Sequence, residues 1–181
     1  ALQVGLLPII NVHHDNSWVD TDNATAFEQA LPRFRALWEQ VARNFTSHSD
    51  DLIFQTFNEP HRLSATQCNT VNQIALEEIR RHSPSRTVII GGGGWNSIRW
   101  LQDPSNNLLQ TFFALPNGEQ DRNVWLEIHY YTPVFTFTTP NSGPPLALPP
   151  SDTWGTSADI GALNSSFALL NGWLATSGLA G

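Results

Sequence analysis

Four short apolar runs, each passing into polar or glycine-rich sequence, alternate with stretches that carry a helical apolar stripe. The runs are Gly5 to His14, Leu52 to Glu59, Thr87 to Gly94 and Val124 to Tyr131. Runs of this length and composition read as buried strands. The first gap places Phe34, Leu37, Trp38, Val41 and Phe45 on one helix face, and the second does the same with Val71, Ile74, Ala75 and Ile79. The second helix should stop at Ser83-Pro84, because the residue before a proline disfavours helical backbone. Pro32 is expected near the start of the first helix and not inside it. Ser97 to Pro116 is expected to hold a short helix and loop, and Ile160, Leu163, Phe167, Leu170 and Leu174 mark a final helix ending near Gly178.

Strands alternating with helices predict parallel βαβ units whose polar strand ends gather on one side of the sheet. The repeat averages about 39 residues, so eight units would need roughly 315, within the range of a (β/α)8 barrel. The fold expectation is therefore α/β: a partial (β/α)8 TIM barrel of about four βα units filling residues 1–181 as one domain. A doubly wound open sheet is the alternative, but no G-x-G-x-x-G follows any strand, and Gly91 to Gly94 do not have phosphate-loop spacing.

Composition narrows the function. The net charge is −7, and a chain with so few bases is a poor partner for nucleic acid. No apolar run is long enough to suggest a membrane span, and a basic-then-apolar leader is not evident. The single cysteine, Cys68, excludes an internal disulfide or a cluster of thiolate ligands. Three glycosylation sequons, at Asn23, Asn44 and Asn164, support secretion weakly. The abrupt opening and the lack of methionine read as a processed or truncated product.

Chemistry concentrates at three strand ends. Phe57-Asn58-Glu59-Pro60-His61 closes the second run, and a carboxyl at the C-terminal end of a barrel strand reads as catalytic. His13-His14-Asp15 closes the first and His129-Tyr130-Tyr131 the fourth, so imidazoles, phenols and an amide surround Glu59. Zinc is disfavoured, because adjacent histidines on a strand point to opposite faces and no H-E-x-x-H pair is present. No metal and no cofactor is expected. Trp18, Trp95 and Trp154 fall in or beside loops that follow strands, where an indole can stack on a sugar ring. Trp38, Trp100, Trp125 and Trp173 fall in periodic apolar segments and are expected in the core. Glu127 shares the inward parity of His129 but lies two residues deeper, and is expected to be a buried polar group of the barrel layer.

The runs Ile10-Asn11-Val12-His13-His14-Asp15, Phe57-Asn58-Glu59-Pro60 and His129-Tyr130-Tyr131-Thr132-Pro133 resemble the third, fourth and sixth strands of glycoside hydrolase family 5, the retaining β-glycanases that include many cellulases. Gly92-Gly93-Gly94-Trp95-Asn96-Ser97 resembles the fifth-strand segment. The resemblance implies that Glu59 is the acid/base and that Asn58 holds the sugar 2-hydroxyl. It implies that His129 and Tyr131 orient the carboxylates and that His13 and His14 line the cleavage subsite. Trp18, Trp95 and Trp154 would be substrate platforms. A retaining enzyme needs a second carboxylate about 5 to 5.5 Å from the first, which the family places on the seventh strand. On that resemblance the chain is a catalytic domain truncated at both ends, holding strands three to six and no nucleophile.

The implied activity is endo-hydrolysis of β-1,4-glucan, with β-glucan polysaccharide or oligosaccharide as partner and an extracellular site of action. Mannan, xyloglucan and mixed-linkage glucan remain open, as does a non-catalytic β-glucan-binding half-barrel. The isolated chain is expected to be inactive, and its unpaired sheet edges favour self-association.

Overall fold

The computed structural model describes residues 4–13, 18–102, 121–130 and 155–177. They fall into two compact units, residues 1–128 and 129–181. The first unit holds four parallel strands, β1 (Ile9–Asn11), β2 (Ile53–Gln55), β3 (Val88–Ile90) and β4 (Val124–Leu126), hydrogen-bonded in sequence order. Helix α1 (Ala24–Asn44) joins β1 to β2, and α2 (Ala65–His82) joins β2 to β3. This is a partial α/β barrel, as the alternation of runs predicts.

The helix ends follow the local chemistry. The Asn23 side chain caps α1 by accepting the Ala26 N–H at 2.9 Å. Ser64 and Gln67 form a reciprocal capping box at the start of α2, which stops at Ser83 as the following proline requires. Pro32 departs from expectation. It lies inside α1, because the Asn23 cap starts the helix well upstream. Continued burial of Phe27, Ala30, Phe34, Trp38 and Ala42 carries the stripe past the one backbone bond that proline forgoes.

Strand register sorts side chains onto two faces. Phe54 pairs with Val88 and Val88 with Val124, and this face packs on the helices, with Trp38 against Phe54 at 5.8 Å between ring centroids. Asn11 pairs with Gln55, Gln55 with Ile89 and Ile89 with Trp125, which puts these four on the opposite face. Trp125 is therefore not a core residue. It is 51% exposed, as is Ile9, because the face they share is not the one under α1 and α2. Trp38 and Trp100 are buried as expected.

Two arginines tie the frame. Buried Arg86 donates to the carbonyls of Phe45, His48, Ser49 and Leu52, and so pins the loop leading into β2. Arg35 of α1 reaches Glu77 and Glu78 of α2 at 3.0 and 2.5 Å. A hydrogen bond from Gln73, the largest cause, together with the Arg35 Nη2 hydrogen bond and the Arg35 charge, lowers the Glu77 carboxyl below its usual range.

In the second unit a helix spans Ser157–Ser177, where the final helix is expected; its expected end at Gly178 lies outside the described residues. Asp159 accepts from the N–H groups of Gly155 and Thr156 and from the Thr156 hydroxyl. These bonds hold its carboxyl below the ordinary value, and Asp159 thus acts as a cap. Ile160 and Phe167, two members of the expected stripe, are exposed.

Candidate active site

Backbone pairing continues beyond the strands at their C-terminal ends. Asn58 N–H donates to Val12 O at 2.8 Å, Thr56 N–H to Ile89 O at 3.0 Å, and Glu127 N–H to Ile90 O at 2.8 Å. These bonds fix where the polar ends stand, and the side chains there join in a network. Asn11 Nδ2 donates to Gln55 Oε1 at 2.6 Å and lies 3.3 Å from His13 Nδ1. Gln55 Nε2 in turn donates to Glu127 Oε2 and reaches Asn58 Oδ1 at 3.4 Å. Asn96 Nδ2 donates to the same Glu127 oxygen at 2.6 Å. One carboxylate thereby gathers amides from β2 and from the turn after β3; Glu127 is half-buried and not the fully buried group the sequence predicts.

Glu59 follows directly on this network. It is half-buried and its backbone is left-handed, with φ +50°. A residue with a Cβ occupies that region at a cost of about 1–2 kcal/mol and is held there by its surroundings. The loop after β3 is left-handed too, with φ +60° at Gly94, +62° at Trp95 and +55° at Asn96. The two loops are joined where the Trp95 N–H donates to Pro60 O at 3.1 Å. Gly92 lies beneath this turn, and a Cβ there would sit 1.8 Å from the Trp100 indole, so only glycine fits.

Among the expected site residues, Asn58, Glu59, His13, Trp95 and Trp18 belong to the first unit. Trp95 is 56% exposed, with the His61 imidazole stacked on it at 5.1 Å and an 8° interplanar angle. Trp18 is half-buried, lies 6.3 Å from Phe34, and has the Arg33 guanidinium 4.3 Å from its ring centre. Its ring is thus partly occupied by the protein itself. His129 opens the second unit. His14, Tyr131 and Trp154 lie outside the described residues, as do Asp15 and Asp152.

Sequence reasoning missed three members. Gln55 had a usable signal, since it shares strand parity with Asn11's partner position in an otherwise apolar run. Asn96 was visible only as part of a resembling segment. Asp20, fully buried and bonded to His61 Nδ1 at 2.8 Å, had no local signal. Among the described residues no cluster of three or more His, Cys, Asp or Glu could hold a metal ion.

A parallel α/β sheet with Asn-Glu-Pro just beyond an inner strand, β2, is the arrangement these residues build. The chain belongs to the cellulase family, glycosyl hydrolase family 5, whose model matches residues 1–180. It is 33% identical to Endoglucanase H of Acetivibrio thermocellus over 174 residues, covering 96% of this chain and 16% of that protein. It superposes on the endoglucanase Cel5A of the hyperthermophile Thermotoga maritima with a TM-score of 0.73 at 30% identity, covering 97% of this chain and 52% of that one. The same Thermotoga protein has been crystallised with cellobiose and with mannotriose. The chain thus spans about half the length of the solved relatives it matches.

Proposed function

We propose that this chain supplies the acid/base part of a retaining endo-β-1,4-glucanase. The observation that carries the reading is Glu59 itself: a carboxyl at a strand end, held in left-handed backbone beside an amide network, in a family of endoglucanases. Glu59 protonates the glycosidic oxygen and then activates the water that releases the sugar, while Asn58 holds the 2-hydroxyl. His129 and Tyr131 orient the carboxylates, His13 and His14 line the cleavage subsite, and Trp95, Trp154 and Trp18 offer rings to the sugar chain. Glu127 is committed to Gln55 and Asn96, so the nucleophile comes from sequence outside these 181 residues.

The share of the solved relatives that is covered, and the exposure of Ile9 and Trp125 on one face of the sheet, support a chain that works within a longer, secreted protein. By itself it would cover that face by self-association. The substrate is a β-1,4-linked glycan, glucan first, and the mannotriose complex of the Thermotoga relative keeps mannan within the class.

The test is Glu59→Gln in the full-length protein. Hydrolysis of β-glucan should fall by about 10²–10⁴-fold, because the amide cannot deliver a proton. Oligosaccharide binding should persist, and azide should restore turnover of substrates with good leaving groups. Unchanged hydrolysis would refute the assignment. Binding without hydrolysis by the unsubstituted protein would favour the non-catalytic β-glucan-binding reading.

A further inference from the structure

The turn that carries Glu59 is gripped from outside the amide network. Asp20, in the loop between β1 and α1, is fully buried. Its carboxylate accepts the His61 N–H at 3.2 Å with either oxygen, and the Arg62 N–H at 2.9 Å with Oδ1. Its Oδ2 lies 2.8 Å from His61 Nδ1. A carboxylate facing Nδ1 makes that nitrogen the proton-bearing one, whether the ring is neutral or charged. The imidazole so fixed lies flat on the Trp95 indole, and the Trp95 backbone N–H donates to Pro60 O. One side chain therefore holds the two residues that follow Glu59-Pro60 and the ring that backs Trp95.

We propose that Asp20 is a positioning residue that keeps Glu59 in its left-handed conformation through the His61 and Arg62 N–H groups, and presents the open face of Trp95 to a glycan through the His61 ring. The inference rests on the reading of Glu59 and Trp95 given above. The backbone effect is steric. A left-handed Glu59 relaxes unless its neighbours are fixed, and Asp20 fixes the downstream side as Val12 O fixes the upstream side at Asn58. The effect on the ring is entropic. Trp95 is mostly exposed, and a stacked partner restricts its rotamers before sugar arrives.

The two functions separate by substitution in the full-length protein. Asp20→Asn can keep its oxygen on the backbone N–H groups, but it turns an amide donor toward His61 Nδ1 and forces the other tautomer. Asp20→Ala removes both contacts. Asp20→Ala should lower kcat on soluble β-glucan by about tenfold or more, since a misplaced acid is costly. His61→Ala should raise KM and weaken cello-oligosaccharide binding by about tenfold, a typical loss when a stacking platform is disturbed. His61→Phe should recover most of that binding, because it restores a ring without Nδ1.

A readout independent of turnover is the near-ultraviolet circular dichroism assigned to Trp95, taken as the difference between the protein and its Trp95→Phe variant. That difference should shrink in Asp20→Asn and His61→Ala. An unchanged difference in both variants overturns the proposal. So does a lower melting temperature in Asp20→Ala with kcat and KM of the folded protein unaltered, or His61→Phe no better than His61→Ala. If the unsubstituted protein hydrolyses no β-glycan, the glucanase reading fails, and the dichroism alone still decides the role of Asp20.

Discussion

Replacing Glu59 by glycine should leave the fold more stable than replacing it by alanine, the reverse of what most positions show. Both substitutions delete the carboxyl, so every contact of the side chain cancels in the comparison. What remains is the backbone at φ +50°. Alanine keeps a Cβ in the left-handed region at about 1–2 kcal/mol, whereas glycine enters it freely. Glycine also gives the unfolded chain more freedom, which offsets roughly 0.5–1 kcal/mol of that gain. The net expectation is Glu59→Gly more stable than Glu59→Ala by about 0.5–1 kcal/mol. Urea denaturation of the two variants in parallel, with equal slopes, measures it directly. Gln40, exposed within α1, supplies the control. There Gln40→Gly should be less stable than Gln40→Ala by about 1 kcal/mol, the ordinary helix penalty. If the Glu59 pair follows the Gln40 order, the left-handed turn is not what the sequence around Glu59 enforces, and the positioning argument for Asp20 loses its basis.

Gly92→Ala should destabilise by roughly 1–3 kcal/mol or more in thermal melts, since its Cβ would meet the rigid Trp100 indole at 1.8 Å. Trp38→Ala should cost about 3–5 kcal/mol, because the indole is fully buried against Phe54 and the ring leaves a large cavity. Ser64→Ala, which breaks the capping box of α2, should cost about 1 kcal/mol in chemical denaturation. Burial raises the Cys68 thiol well above its usual range, with the Asp20 charge adding to it, so Ellman's reagent should react slowly until the protein unfolds. The sign of the linkage follows. Above about pH 8.5 the unfolded thiol loses its proton and the folded one keeps it, so this group makes stability fall as pH rises.

The strands, their order and the helices between them were legible because each apolar run has the length of a buried parallel strand and each gap has one stripe. The turn that carries Glu59 was legible because Asn-Glu-Pro combines the end of an apolar run with a proline. Two readings failed for identifiable reasons. Pro32 was placed by a local preference for helix starts, but the Asn23 cap lies further upstream and tertiary burial of the stripe outweighs one lost bond. Trp125 was assigned to the core from its apolar neighbours, although period 2 says only that Val124 and Trp125 face opposite ways. Which face the helices cover depends on the register with Ile89, a long-range fact. Asp20 was illegible for a similar reason, since its partners His61 and Arg62 lie about forty residues on.

The chemistry at the strand ends divides between two carboxyls by what surrounds them. Glu127 receives two amide N–H groups on one oxygen, an arrangement that suits an acceptor and gives it the task of holding Gln55 and Asn96. Gln55 passes that order to Asn58, and Asn96 passes it to the turn bearing Trp95. Glu59 stands at the end of this chain of contacts on a strained backbone, where its geometry is decided by neighbours on several elements at once. Glu127 is thus placed by the amides it gathers, whereas the Glu59 backbone is placed by contacts to its neighbours, Val12 O on the Asn58 side and the Asp20 carboxylate on the His61 and Arg62 side.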